Sequence, residues 1–231
     1  MSQPCSANSH RVGTSHVTLT FDNELTPAEL ENMRRTAGAS DVFRIPAIVS
    51  AAYTREQRLH FEDSSEPDVG QLLAVIAALV PKHGRVLELG TGAGVGLAWI
   101  VYGLRDRTDV DVTSIELDAS RAEAVRADGW PPWVSILVGN GSEFLEHSGR
   151  FDLIFADTPG GKIYNLATTI NALREGGTLV LDDMDLRADE DPERWSRITC
   201  VRNQLFEGED LVCAELRLST GVLLAVKSYQ N

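Results

Sequence analysis

Val86-Leu87-Glu88-Leu89-Gly90-Thr91-Gly92-Ala93-Gly94-Val95-Gly96 reads as a buried parallel strand running into a glycine-rich turn, with an apolar helix following from about Leu97 to Leu104. Strands buried on both faces are near-continuous apolar runs, as this one is. Glycine at every second position lets the backbone turn sharply and lets a ligand approach the main chain with no Cβ in the way. The helix N-terminus that follows offers N–H groups without intrahelical partners to a polar or anionic group. Spacing narrows the reading. The dinucleotide fingerprint Gly-x-Gly-x-x-Gly needs a third glycine, and counting from Gly90 or Gly92 places Val95 or Leu97 there. The pattern present is Glu-x-Gly-x-Gly-x-Gly.

The next strand is expected over Val110–Glu116, β-branched and ending in an acid. Its distance from the glycine turn is what a mononucleotide-binding half requires. A carboxylate at that strand end can accept charge-assisted hydrogen bonds from ribose hydroxyls. Asp118 is a second candidate for that role, with the alternative of capping a helix that starts near Ala119.

From Arg85 onward, strand and helix patterns alternate, the signature of a parallel sheet with helices on both faces. Strands are expected at Arg85–Leu89, Val110–Glu116, Val134–Val138, Phe151–Ala156 and Thr178–Leu181. A final pair, Leu211–Leu218 and Val222–Val226, joined at Thr220-Gly221, reads as an antiparallel hairpin. Upstream, residues 1–21 read as a flexible tail and 22–80 as a helical segment. The latter holds helices over Pro27–Thr36 (a capping box at Thr26-Pro27-Ala28-Glu29), Ile45–His60 and Pro67–Val80. Residues 81–231 form the ligand-binding core of what is one domain overall.

The chain has 231 residues, and 43% of them are apolar, enough for a full core. A net charge of −13 with no basic run argues against nucleic acid or anionic membrane as a partner. The N-terminal residues lack the apolar stretch of a secretory signal, and no run reaches the length of a membrane span. Three widely spaced cysteines, Cys5, Cys200 and Cys213, suit reduced thiols in a cytoplasmic setting.

The glycine turn together with Glu116 resembles motif I and the following acid of class I S-adenosylmethionine (SAM) dependent methyltransferases. The resemblance implies a Rossmann-like α/β fold: a mostly parallel seven-stranded sheet with a C-terminal antiparallel hairpin, preceded here by the helical extension. It implies that Glu88 helps position the methionine amino group and that Gly90, Thr91, Gly92 and Gly94 cradle the cofactor. Glu116, with Leu117 beside it, would hold the ribose. Asn140, with Gly141 and Ser142, stands where relatives commonly carry Gly-Asp-Ala and an acid that binds the adenine amino group. Its side-chain oxygen can still accept that bond, and its alternative is a turn asparagine.

The residues after strands four and five, Asp157-Thr158-Pro159-Gly160-Gly161-Lys162 and Asp182-Asp183, look like those of the metal-dependent catechol and caffeoyl-CoA O-methyltransferases. That likeness implies Mg²⁺ on Asp157, Asp182 and Asp183, and Lys162 as the group that takes the acceptor proton. Hard divalent cations do prefer several carboxylate oxygens, and such an ion would acidify a bound hydroxyl. Two departures stand out. Asp183 replaces an Asn, and Lys162 lies five residues after Asp157 where about three is usual. The alternatives are Asp157 alone as the base, Asp182-Asp183 as a cap, or Gly160-Gly161 as a flexible loop over the cofactor. Trp195, Tyr53 and Tyr164 are candidates to line an acceptor pocket.

The expectation is a SAM-dependent methyltransferase acting on a small molecule, most readily at oxygen. In relatives, an N-terminal segment of this kind covers the cleft or supports a homodimer. Two other readings share the motifs: an aminopropyltransferase of the spermidine synthase type, and a non-catalytic SAM-binding module.

Overall fold

A computed structural model describes residues 45–185 and 191–230. The expected tail over 1–21 and the helix at Pro27–Thr36 lie outside the described residues.

Two helices precede the first strand: α1 (Ala47–Leu59) and α2 (Pro67–Ala78), the latter with proline at its first position. The order continues β1 (Arg85–Leu89), α3 (Val95–Leu104), β2 (Asp111–Glu116), α4 (Ala119–Arg126), β3 (Val134–Val138), α5 (Gly141–His147) and β4 (Phe151–Ala156). It closes with a helical turn α6 (Pro159–Lys162), α7 (Leu166–Asn171), β5 (Leu173–Leu181), α8 (Pro192–Phe206), β6 (Leu211–Leu216) and β7 (Val222–Lys227). The sheet order is β3-β2-β1-β4-β5-β7-β6. Strands β1 to β5 pair in parallel, whereas β7 runs antiparallel to both β5 and β6. This is the expected seven-stranded sheet with its C-terminal hairpin.

Several element ends shift by one or two residues from expectation, and two differences have a structural cause. Helix α3 begins at Val95, not Leu97, because Gly94 (φ 79°) turns the chain and Gly96 is already helical. A Cβ on Gly96 would stand 2.6 Å from Glu88 Oε1 and 2.8 Å from the Phe155 ring, so that glycine serves helix-to-sheet packing. Strand β5 starts at Leu173, ahead of Thr178, because a register shift opposite Phe151 and Leu153 carries Gly176-Gly177 as a bulge.

Apolar clusters fill both faces of the sheet. One gathers α1, α2, α3 and α4 around Leu73, Trp99 and Val125, and the other gathers α5, α7 and α8 around Leu145, Ile170 and Val201. The α2–α3 seam is close enough that two glycines are required. A Cβ at Gly70 would lie 2.1 Å from Trp99 Nε1, and one at Gly103 would lie 2.1 Å from the Ala74 carbonyl oxygen. Backbone cannot swing aside as a side chain can. Gly103→Ala is therefore expected to destabilise the fold by about 1–3 kcal/mol, even though alanine in a helix gains roughly 1 kcal/mol of propensity over glycine. A lower urea midpoint with unchanged slope is the expected reading; an unchanged or higher midpoint would show that the seam can open.

Arg55 fastens α1 to the glycine turn. Its side chain is 2% exposed, its Nε donates to the Ala93 carbonyl at 2.7 Å, and its Nη1 pairs with Asp128.

The candidate active site at the carboxyl ends of β1 and β4

In this sheet the chain order reverses between β1 and β4, so the crevice beyond their carboxyl ends is where an open α/β sheet gathers ligands. A cavity of about 1100 Å³ opens there. Its walls include Glu88, Gly90, Thr91, Gly92, Glu116, Leu117, Asn140, Gly141, Ser142, Asp157 and Lys162. Gly94 lies outside that wall. A Cβ there would stand 2.8 Å from Arg55 Nη2 and from Val125, so packing behind the turn, together with its positive φ, demands the glycine. Asp182 is buried and also absent from the wall.

At the β1 end, Glu88 is fully enclosed. One oxygen accepts from the Ser114 hydroxyl, while Oε1 is buried without a hydrogen-bond partner of normal geometry. Burial pushes its carboxyl well above the usual range, partly offset by the Ser114 hydroxyl. At the β2 end, Glu116 Oε2 accepts from Gly92 N–H (2.8 Å), and Oε1 accepts from Asp118 N–H (2.9 Å) and Arg121 Nη1 (3.2 Å). A carboxylate offers about four acceptor positions, so the protein uses most of them to fix this side chain against the glycine turn. Asp118 is a helix cap, its Oδ1 accepting from Ser120 N–H and Arg121 N–H. Asn140 likewise caps α5 through Ser142 N–H at 3.0 Å while still facing the cavity.

At the β4 and β5 ends, a lysine lies among three acids. Gly161 (φ 94°) is buried; its N–H donates to the Tyr164 carbonyl and its own carbonyl accepts from the Thr169 hydroxyl, each at 2.7 Å. Gly161 thus forms a tight inward turn, while Gly160 beside it lines the cavity. That turn absorbs the two extra residues and sends Lys162 into the interior, 5% exposed. Its ammonium donates to the Asp182 carbonyl at 2.7 Å and to Asp183 Oδ2 at 3.2 Å, with Asp157 Oδ1 at 3.8 Å. Burial raises Asp157 to about 7 and Asp182 to about 6; Lys162 opposes both shifts, the Asp183 carboxylate adds to both, and the Asp183 N–H opposes that of Asp182.

The loop between α1 and α2 joins the wall of this crevice, in line with the covering role that the resemblance implies for the N-terminal segment, although no single residue of the loop is named for it there. Phe61 covers Gly92, where a Cβ would meet its ring edge at 2.8 Å, and the Arg121 guanidinium stacks over the same ring at 4.8 Å from its centroid. Ser64 and Ser65 join the wall, as do Arg194 and Arg197 from α8. Of the three aromatic candidates, Tyr164 lines the cavity. Tyr53 instead donates its hydroxyl to the Ser65 carbonyl, and Trp195 lies outside the wall.

A family model described as a methyltransferase domain matches residues 87–184. A protein of Mycobacterium tuberculosis strain H37Rv, named as a probable O-methyltransferase, is 32% identical over 172 residues, covering 70% of this chain and 76% of that relative. The chain belongs to the SAM-dependent O-methyltransferase family. Solved structures agree on the fold. A Corynebacterium glutamicum protein superposes with a TM-score of 0.73 at 21% identity, over 87% of this chain and 98% of its own. The O-methyltransferase TomG of Streptomyces achromogenes, involved in tomaymycin synthesis and solved with SAM, does so at 0.70 and 19% identity, over 89% of this chain and all of its own.

The residues of this methyltransferase suit SAM. Glu88 Oε1 is a buried acceptor without a hydrogen-bond partner of normal geometry, on a residue of the cavity wall, and Gly90 and Gly92 bring bare backbone to that wall. The donor set implied for Mg²⁺ fits poorly. Asp182 Oδ1 is turned to Asp183 N–H (2.8 Å) and the Thr220 hydroxyl (3.2 Å), and the ammonium of Lys162 already stands against the other two acids. Among the described residues, no three His, Cys, Asp or Glu side chains converge as a metal site. No helix among them is long and apolar enough to cross a membrane.

Proposed function

We propose that this chain methylates a hydroxyl oxygen of a small molecule, with SAM lying along the β1–β3 side of the cavity and the acceptor beside Asp157. The observation that carries the reading is continuity. One space of about 1100 Å³ runs from Glu88 and Glu116 to Asp157 and Lys162. A single drug-sized ligand occupies a pocket of roughly 300–1000 Å³, so this one suits a donor and an acceptor together.

When bound, SAM supplies an electrophilic methyl group. The protein's share is alignment, exclusion of water and removal of one proton. Asp157, at the end of β4, takes the proton of the acceptor hydroxyl onto its carboxylate. A base titrating near the working pH balances availability against basicity, and Asp157 at about 7 meets that condition. Lys162 keeps part of the Asp157 population ionised and offers its positive charge to the developing oxyanion. Phe61 and the loop carrying Ser64 and Ser65 close the crevice from above. Membership of the O-methyltransferase family supports this reading over aminopropyl transfer or a silent cofactor-binding module.

The direct test is transfer from labelled SAM to a panel of phenols, alcohols and hydroxy acids, beside calorimetric titration with S-adenosylhomocysteine. A protein that binds neither SAM nor S-adenosylhomocysteine would sink the proposal. The pH profile adds a second check. The rate constant kcat/KM should rise from pH 6 to 8 with an apparent pKa near 7, the ionisation belonging to Asp157 and its coupled neighbours. Lys162→Met removes the ammonium that favours the ionised form, so the rising limb should move to higher pH. A limb that stays in place would detach Lys162 from the base.

A further inference from the structure

We propose that the ammonium of Lys162 is this enzyme's resident cation, taking the place that a divalent metal would hold beside the acceptor, so that the acceptor is gripped through one oxygen and not chelated through two. The acceptor part of this inference rests on the function proposed above; the cation part does not.

The geometry is built, not incidental. A buried glycine at φ 94° and the Thr169 hydroxyl hold the turn that delivers Lys162 inward. Asp183 takes the left-handed region at φ 59°, a conformation that costs a non-glycine residue energy and that aspartate tolerates better than most. In that conformation its Oδ2 lies 3.2 Å from the ammonium. Two chain turns therefore converge on one contact. A hard divalent ion such as Mg²⁺ would need its oxygens at about 2.0–2.1 Å. Placed on the acid oxygens that flank Lys162, it would set cation against cation in a buried space. Asp182 contributes a backbone carbonyl, the acceptor an ammonium wants, while its carboxylate Oδ1 is engaged elsewhere. The raised proton affinities of Asp157 and Asp182, caused first by burial and then by the neighbouring acids, agree with surplus negative charge around a single ammonium.

An ammonium carries three N–H groups. The Asp182 carbonyl and Asp183 take two. The third has no partner within hydrogen-bond distance among the described residues, with Asp157 Oδ1 at 3.8 Å and Lys162 in the cavity wall, and can bind one acceptor oxygen. A metal with open coordination positions can take two adjacent oxygens at once; Lys162 cannot. The acceptor class that follows is a lone hydroxyl, with no advantage for a vicinal dihydroxy compound.

The test uses Mn²⁺ as probe on the full chain saturated with S-adenosylhomocysteine, read by electron paramagnetic resonance. Wild type should take up no stoichiometric Mn²⁺ at sub-millimolar concentration. Lys162→Ala, which bares the acids, should bind it at least about tenfold more tightly than wild type, a change of about 1.4 kcal/mol. Wild-type methyl transfer should be the same with EDTA as without, and a monohydroxy phenol should be methylated at least as well as its vicinal dihydroxy analogue. Stoichiometric Mn²⁺ in the wild type, activity lost to EDTA, or a folded Lys162→Ala without gained affinity would each overturn the inference. Should Lys162→Ala not fold, the wild-type titration and EDTA arms still decide. Absence of transfer to every acceptor would fail the proposed reaction alone, because the Mn²⁺ titration needs no acceptor.

Discussion

Asp157→Asn is expected to lower kcat by about 10²–10⁴-fold, the usual contribution of a positioned general base, while affinity for SAM stays within a few-fold. Asparagine keeps the shape and the hydrogen-bonding reach but cannot accept the proton. The argument depends on Asp157 facing the acceptor side of the cavity and on its raised proton affinity, caused first by burial and then by its acidic neighbours. Single-turnover transfer from labelled SAM measures the chemical step, and calorimetry with S-adenosylhomocysteine measures binding. A kcat within about twofold of wild type would be far too little for loss of a base. Stability gives an internal control. A carboxyl held above its unfolded value of about 3.9 stabilises the fold at low pH, and that share is lost as pH rises through about 7. Asp182, raised to about 6, acts in the same direction. Wild-type stability should therefore fall between pH 4 and 7 more steeply than that of Asp157→Asn.

Glu116→Ala is expected to weaken SAM binding by roughly 10- to 150-fold, equivalent to about 1.5–3 kcal/mol for a hydrogen bond to a charged group. The carboxylate already holds Gly92 N–H, Asp118 N–H and Arg121. Little acceptor capacity then remains for the ribose, so a loss built on two ribose bonds would overstate the effect. The substitution also frees Gly92 N–H from the contact that fixes the turn. Glu116→Gln separates the two contributions, because it can hold Gly92 while losing the charge. Calorimetry is the readout, and affinity unchanged in a folded Glu116→Ala would remove Glu116 from the cofactor site.

The sheet and the residues that wall the β1–β3 side of the cavity were legible in the sequence because short-range chemistry writes them. Apolar runs broken by glycine set β1 and its turn, and an acid closes β2. Asp118 carries a cap signal that the structure bears out, and Asn140, read as an adenine ligand or a turn asparagine, is also a helix cap. What the sequence hid depends on chain reversal over long separations. Phe61 follows a helix end at His60, which is itself left-handed (φ 49°), and nothing local says that the loop then turns back over Gly92. The spacing of Lys162 obscured its position because the two extra residues are absorbed by a turn whose partners, Leu89 and Thr169, lie in other elements. Gly94 was legible as a glycine but not for its reason, which is the buried Arg55 behind it.

The placement of β7 between β5 and β6 has a consequence for how the chain is made. All five strands that carry the cavity precede it in sequence and can pair as they leave the ribosome, since synthesis presents the N-terminal elements first. Until Val222–Lys227 emerges, however, Thr178–Leu181 is an open, largely apolar edge, the kind of strand that recruits a neighbouring chain. A nascent protein that folds in this order has its crevice walls assembled while its sheet is unsealed. Premature termination within the hairpin would yield a sticky fragment and not a smaller enzyme.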